Sequence, residues 1–209
     1  MTIRRGESWG ERAIPPVDLA RAASDAQAAD LVRNGCREFL LTGGDMWRTL
    51  GGSSSEPSPA DLDGARTVVS VDCLQVSWVD GGTPEERPVF AHAVIRLGRR
   101  RRSLHPGDIC YAMNAQYLGS FDVAPRSHPN DGRFDIVTVE ETMSWRQRRQ
   151  LRHRLATGTH LPHPSIRTES VGASWSPGRP GRLILDGRDS GDAENVSITI
   201  HPDSLRIWF

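Results

Sequence analysis

The sequence predicts a mainly β protein of the α+β class: a two-layer antiparallel β-sandwich, preceded by a small N-terminal βαβ segment and interrupted by one helix after residue 141. Three observations lead there. From Thr67 onward the chain carries short runs rich in β-branched and aromatic residues, bounded by Gly, Pro or Asp: TVVSVDCLQVSWV, PVFAHAVIRL, DICYAMNAQYL, FDIVTV, LILDG, VSITI and LRIWF. Period-two runs between turn residues are the pattern of antiparallel sandwiches and barrels. Ahead of them lies a Gly/Ser/Pro-rich stretch, GGSSSEPSPADLDG (51–64), with little to bury. Between them, Ser144 is placed to cap the helical stretch WRQRRQLRHRLA.

In chain order, residues 1–16 are polar and broken by Gly and Pro, so they form an irregular arm unless Trp9 docks on the body. Val17 to Ala23 is a short apolar stretch. It meets Ser24, an N-cap residue, and then DAQAADLVRN ending at Gly35, a C-cap residue, which reads as strand, helix, stop. Phe39-Leu40-Leu41 then runs into Gly43-Gly44-Asp45, closing a small βαβ unit in a glycine turn. The predicted organisation is an arm and small α/β segment over 1–52, a linker over 53–64 and the sandwich over 65–209. At 209 residues one core-bearing domain with appendages is the expected size. In the late helix Trp145, Leu151 and Leu155 offer a thin apolar edge and five Arg cover the rest. That charged face reads as solvated, as does Arg99 to Arg102 in a hairpin loop. A nucleic-acid site is the alternative weighed for the helix face, and an anionic lipid headgroup or phosphate is the sharper reading of the Arg99–Arg102 run.

Composition removes several function classes. Formal net charge is zero, hydrophobic content 37% and charged content 25%, which fits a soluble globular protein with no global attraction to nucleic acid or anionic membrane. All 26 basic residues are Arg, so Schiff-base chemistry and a phosphate-loop Lys are excluded; such a bias is that of a GC-rich genome. Cys36, Cys73 and Cys110 are widely spaced and odd in number, which argues against a disulfide framework or a CxxC metal site and for a reducing cytoplasm. No run approaches a membrane span, so neither integral membrane association nor secretion is expected. Most of the six Trp are expected in the core or over its edges.

Several motifs, in order across residues 43–209, carry a family resemblance: GGDMWRTLGG, MNAQYLG, VAPRSHPNDGRFD, TGTHLPHP and LILDGRDSG. Together they resemble the C-terminal β domain of the diacylglycerol kinases and related YegS-like lipid kinases. GGDMWRTLGG, through Arg48, Leu50 and Gly51, is similar to the GTxNDFARxLG element that leads into that domain. The last two motifs resemble the family's late Gly-His segment and its Asp-Gly-Glu turn. Setting Gly43-Gly44-Asp45 against the family's GGDGT nucleotide cradle fits less well, because a strand follows from near Val69 at the distance expected after the later element.

The resemblance implies that the nucleotide-binding half is largely missing, so autonomous kinase activity is not expected: phosphoryl transfer depends on positioning the γ-phosphate and neutralising its developing charge. Arg188 also stands where the family has Glu after Asp186-Gly187. By resemblance Asp131 maps onto an acid that deprotonates the acceptor hydroxyl or organises a magnesium-linked site, with Asn114, Asn130 and Gly132 around it; an Asp-Gly pair is also simply a good turn. His128 and His160 are further acid–base candidates, since imidazole titrates near neutrality. Asp45 and Trp47 lie in the turn that faces the family's cleft, where the Trp47 ring would fill ligand space. His160-x-x-His163 lacks the Glu and spacing of a helical zinc site, and Pro162 and Pro164 break any helix there, so no metal set is assigned. Mg2+ is the one cofactor the resemblance implies.

The expected function is a stand-alone lipid-kinase-like domain, a pseudokinase when alone, that binds a lipid or another amphipathic hydroxyl compound. Two other readings stay open: an enzyme using Asp131 with a separate nucleotide-binding subunit or on a small metabolite, and a non-catalytic assembly scaffold. A sheet face or edge left without a covering domain is expected to be buried by a homodimer or a partner.

Overall fold

The computed structural model describes residues 9–52, 64–98 and 107–209. The Arg99–Arg102 loop, residues 53–63 of the linker and residues 1–8 lie outside the described residues. The arm does dock. Trp9 packs against the body with its ring 4.7 Å from that of His128, and β1 (Glu11–Ala13) pairs antiparallel with the start of a later strand.

The βαβ unit forms from β2 (Arg21–Ala22), α1 (Asp25–Arg33) and β3 (Glu38–Leu41), with β2 and β3 parallel. Ser24 caps α1 by accepting from the Gln27 N–H. The strand expected from Val17 contracts to two residues, because Val17 is 97% exposed and has nothing to pack on. The glycine turn leads into a short helix that the sequence did not signal, α2 (Asp45–Thr49).

The sandwich is built from β4 (Arg66–Asp80), β5 (Thr83–Val89), β6 (His92–Leu97), β7 (Ile109–Met113), a small hairpin of β8 (Tyr117–Leu118) and β9 (Phe121–Asp122), β10 (Phe134–Val139), α3 (Trp145–Leu155), β11 (Ile166–Val171), β12 (Ser174–Trp175), β13 (Gly181–Leu185) and β14 (Arg188–Trp208). Strands run in the order β1-β4-β14-β13-β6-β7-β10-β11 among the described residues, with β3 added parallel to the end of β14. β14 spans both halves. Its first residues pair with β13 and the remainder with β4.

Which face is buried changes along the long strands. Leu74, Val76 and Trp78 of β4 join Val196, Ile198 and Ile200 of β14 over the inner face of the other sheet, which supplies Ala93, Ile95, Ala112, Phe134 and Leu183. Earlier on β4, the opposite parity (Val69, Val71, Cys73) packs against the βαβ unit with Phe39, Leu41 and Ile207. Because successive side chains alternate in direction, one strand thus serves two cores. The outer face of β6, β7 and β10 is covered by α3, whose Leu151 and Leu155 bury against Val137, Val139 and Met143. Ser144 caps α3 in a capping box with Gln147, as its sequence suggests. Trp145, read as part of the apolar edge, is instead 64% exposed, because the helix presents Leu151 and Leu155 inward and turns its first residue to solvent.

PVFAHAVIRL, read as one strand, breaks between β5 and β6 at Phe90-Ala91. Conversely, VSITI and LRIWF are parts of the single strand β14, bent by register shifts between Glu194/Ser197 and His201/Leu205. Asp186-Gly187 makes the tight turn between β13 and β14, both residues at positive φ, as a two-residue hairpin of Asp-Gly type requires. All three cysteines are free thiols.

Candidate functional site

The break at Phe90-Ala91 has a cause. Asp186, projecting from the β13–β14 turn, accepts the Phe90 N–H at Oδ2 (2.8 Å) and the Ala91 and His92 N–H groups at Oδ1 (2.9 and 3.0 Å). A carboxylate replaces a strand partner there and fixes the first residue of β6, His92. The His92 ring is buried, and its Nε2 lies 3.0 Å from Asp45 Oδ2 at the start of α2.

Asp45 is held in turn by glycines and by Asp25. Gly44 has no side chain with which to cap α2, and its φ of 102° is one that L side chains rarely adopt. The cap comes from α1: the Asp45 N–H donates to Asp25 Oδ2 (2.6 Å) and the Met46 N–H to Asp25 Oδ1 (3.1 Å). A Cβ on residue 44 would stand 2.6 Å from Asp25 Oδ1, so only glycine lets this carboxylate approach. Gly119, after β8, donates its N–H to the Asp45 carboxylate at 2.9 Å. Donor atoms of Asp25, Asp45 and His92 lie within 4.8 Å of one another.

Charge in this group is divided. Burial pushes the Asp25 carboxyl up to about 6, helped by the neighbouring Asp186 and resisted by the N–H groups of α2. Burial likewise raises Asp186 against the pull of His92 and its three backbone donors. At Asp45 burial also raises, but the hydrogen bonds from His92 and the Gly119 N–H outweigh it and the carboxyl is held below its ordinary value. At His92 burial lowers, and the Asp45 hydrogen bond and the charge of Asp186 more than reverse it. The result is a His92–Asp45 pair in which each partner favours the charged form of the other, flanked by two carboxyls that hold protons more readily than usual, an arrangement suited to binding or exchanging a proton with a hydroxyl.

The group opens on a cavity of about 1000 Å³ between α3 and the outer face of β13-β6-β7-β10. Its walls are mostly apolar, including Val94, Ile109, Leu151, Leu155 and Ile184, and Arg96, Arg148 and Arg152 also line it. Mg2+ takes about six oxygens in near-octahedral geometry. Asp25, Asp45 and His92 present an imidazole and two carboxylates already engaged as hydrogen-bond acceptors, so this group does not fit that ion.

Of the residues expected from sequence, Asp45 lies in this site. The PNDG turn lies elsewhere and is tied into the fold by backbone donors. Asp72 on β4 accepts the Gly132 N–H (2.8 Å) and the Asp203 N–H (2.8 Å), and Asn130 Nδ2 donates to Asp203 (2.7 Å). Asp131 accepts from the Arg133 N–H, its carboxyl is raised by burial, and it borders a second cavity of about 630 Å³ with Asp135 and His163. His128 packs against Trp9 with the two rings tilted by 60°, accepts the Asn130 N–H at Nδ1, and is held low by burial. Asn114 is fully buried, its amide donating to the Asp72 and Phe90 carbonyls (both 2.9 Å) where the two sheets meet. His160 is fully buried and its imidazole is pushed low by burial.

Trp47 does not fill the cleft. It packs with the βαβ core, where a Cβ on Gly52 would lie 2.2 Å from its ring, and it is not among the residues lining the larger cavity. Arg188, the departure from Glu, donates to Asp30 of α1 at 2.7 Å and so ties the hairpin to the helix. Sequence reasoning did not select Asp25, His92 or Asp186 as site residues; the one local signal was the Asp-Gly turn at 186.

No protein-family model and no curated protein matches the chain. Solved structures do. Three from Bacillus anthracis str. Sterne, described as diacylglycerol kinases, two of them provisionally, superpose with TM-scores of 0.57, 0.55 and 0.55 at 14%, 14% and 16% identity. Each match covers 81% of this chain, and 69%, 68% and 67% of the respective relative. No helix among the described residues is long and apolar enough to cross a membrane. The β-rich body, the order of its motifs and these superpositions agree: the chain has the fold of the diacylglycerol-kinase-like lipid kinases.

Proposed function

We propose that this chain is a lipid-kinase-like domain that binds an amphipathic, hydroxyl-bearing molecule in the cavity under α3 and does not act as a kinase by itself. The supporting observation is that the apolar cavity ends on the Asp25–Asp45–His92–Asp186 group. Pockets for small molecules are mostly apolar with a few convergent polar groups, and here the apolar walls suit an alkyl body while the His92–Asp45 pair suits a hydroxyl. The second part of the proposal rests on the resemblance of GGDMWRTLGG to the later glycine element of the family, which leaves the chain without a counterpart of the GGDGT cradle.

Native mass spectrometry of the purified chain, titrated with ATP and magnesium and separately with 1-dodecanol, tests both parts. An alkyl adduct without ATP is expected. Saturable ATP binding overturns the non-kinase part, and the absence of any alkyl adduct overturns the ligand part. Asp131→Asn should leave alkyl binding unchanged; its loss would move the site to the second cavity.

A further inference from the structure

One wall of the cavity stands apart from the main sheet. Leu118, Gly119, Ser120 and Phe121 line it, and they belong to the β8–β9 hairpin, a sheet of its own that pairs with no other strand among the described residues. Gly119 and Ser120 are exposed as well as lining, so the hairpin tip separates this part of the cavity from solvent. The hairpin closes on itself at a neck: the Val123 and Ala124 N–H groups donate to the Gln116 carbonyl (3.2 and 3.1 Å), and Gln116 Nε2 to Asp122 Oδ2 (3.0 Å). Beyond the neck, its hydrogen bonds to the body go to α2 among the described residues. The Gly119 N–H donates to both Asp45 oxygens (2.9 Å), and Arg48 Nη1 donates to the Gly119 carbonyl (2.9 Å). The same guanidinium lies over the Tyr117 ring, 3.8 Å from its centroid. The remaining hold is apolar, from the half-buried Leu118 and Phe121 against the α3 cluster.

We propose that this hairpin is the gate of the cavity, hinged at the Gln116–Asp122 neck and latched shut on α2 by Asp45 and Arg48, and that an amphipathic ligand enters by lifting it. This inference rests on the ligand reading of the preceding section and says how that site is reached. The other walls cost more to move. β13, β6, β7 and β10 are joined by continuous strand pairing, and α3 buries Leu151 and Leu155 along its length. A hairpin with two residues to a strand has little stability without neighbours, and segments with few buried contacts are the ones that open locally. The latch also sits at the binding group, because the Asp45 carboxylate that takes the Gly119 N–H is the one 3.0 Å from His92 Nε2. An ionised carboxylate offers about four lone-pair sites. Lifting the hairpin frees Asp45 oxygens for an incoming hydroxyl, and closing it returns the Gly119 N–H to the same carboxylate behind the ligand.

Two measurements on the full chain test this: amide hydrogen exchange at Gly119 without ligand, and the association and dissociation rates of 1-dodecanol, both read by NMR. The Gly119 amide is expected to exchange about a hundred-fold or more faster than the amides of β4. Arg48→Gln removes the guanidinium from Tyr117 and from the Gly119 carbonyl while leaving Asp45 in place. It is expected to raise Gly119 exchange and both dodecanol rates together by about ten-fold, with Kd changed by less than about two-fold, because the latch is lost from the free and bound forms alike. Tyr117→Leu, which removes the ring alone, should give a smaller rise in the same direction. Arg48 is exposed and does not line the cavity, and a thermal melt of each variant verifies that it folds. If Gly119 exchanges as slowly as β4, or if Arg48→Gln leaves both dodecanol rates unchanged, the hairpin is a fixed wall and the inference fails. A weaker Kd at an unchanged association rate makes Arg48 a ligand contact and overturns it as well. If dodecanol does not bind, it is the ligand reading that has failed, and Gly119 exchange then decides alone whether the hairpin opens.

Discussion

Removing the Asp186 carboxylate should unfasten the junction of β5 and β6. Asp186 accepts three buried N–H groups, from Phe90, Ala91 and His92, and no strand neighbour takes these donors in its place. A buried donor left unpaired costs about 1–3 kcal/mol, so three would cost about 6 kcal/mol at mid-range. Against this stands the relief of removing a buried acid whose ionisation is disfavoured. Asp186 also has a φ of 46°, where Ala is strained by about 1 kcal/mol and Asn is tolerated. The net expectation is a loss of about 4 kcal/mol for Asp186→Ala. Asp186→Asn keeps one acceptor oxygen and the turn, and its amide faces one N–H donor with another, which gives about 2 kcal/mol. Urea denaturation at neutral pH, followed by tryptophan fluorescence, reads both. A loss below about 1 kcal/mol for the Ala variant, or equal losses for the two, would refute the assignment of this carboxylate as the acceptor that breaks the strand.

Two further outcomes follow from the same group. Gly44→Ala places a Cβ 2.6 Å from Asp25 Oδ1 at a φ of 102°, so it should lose about 2–3 kcal/mol in a thermal or urea melt; a neutral result would mean that Asp25 does not cap α2 at this distance. His92 is held above its ordinary 6.5, so the stability it contributes is full below that pH and is lost as pH rises through its folded value, whereas Asp45 is held below 3.8 and its contribution is lost as pH falls through its own. Asp25, raised to about 6, contributes in the sense of His92, fully below 3.8 and not above about 6. In an NMR titration the His92 imidazole should titrate above 6.5, and Asp45→Asn should move the midpoint down; an unmoved midpoint would dissolve the pair.

What the sequence determined by itself is what short-range physics controls. Alternation of apolar and polar residues places β4, β10 and the two halves of β14, because a strand's side chains point to opposite faces wherever it is located. Ser24 and Ser144 begin their helices because a hydroxyl two or three residues away can satisfy an orphan N–H. Asp186-Gly187 makes its turn because both residues tolerate positive φ. Tertiary structure decided the rest. The break in PVFAHAVIRL is made by a carboxylate 94 to 96 positions away, and the cap of α2 by one 20 or 21 positions away, so neither leaves a mark in the local residue pattern. The same holds for the site. Asp25, Asp45, His92 and Asp186 are ordinary residues in a helix start, a glycine turn, a strand and a hairpin. They become a coupled acid–base group only because the parallel addition of β3 to β14 and the pairing of β13 with β6 bring those four elements to one end of one cavity.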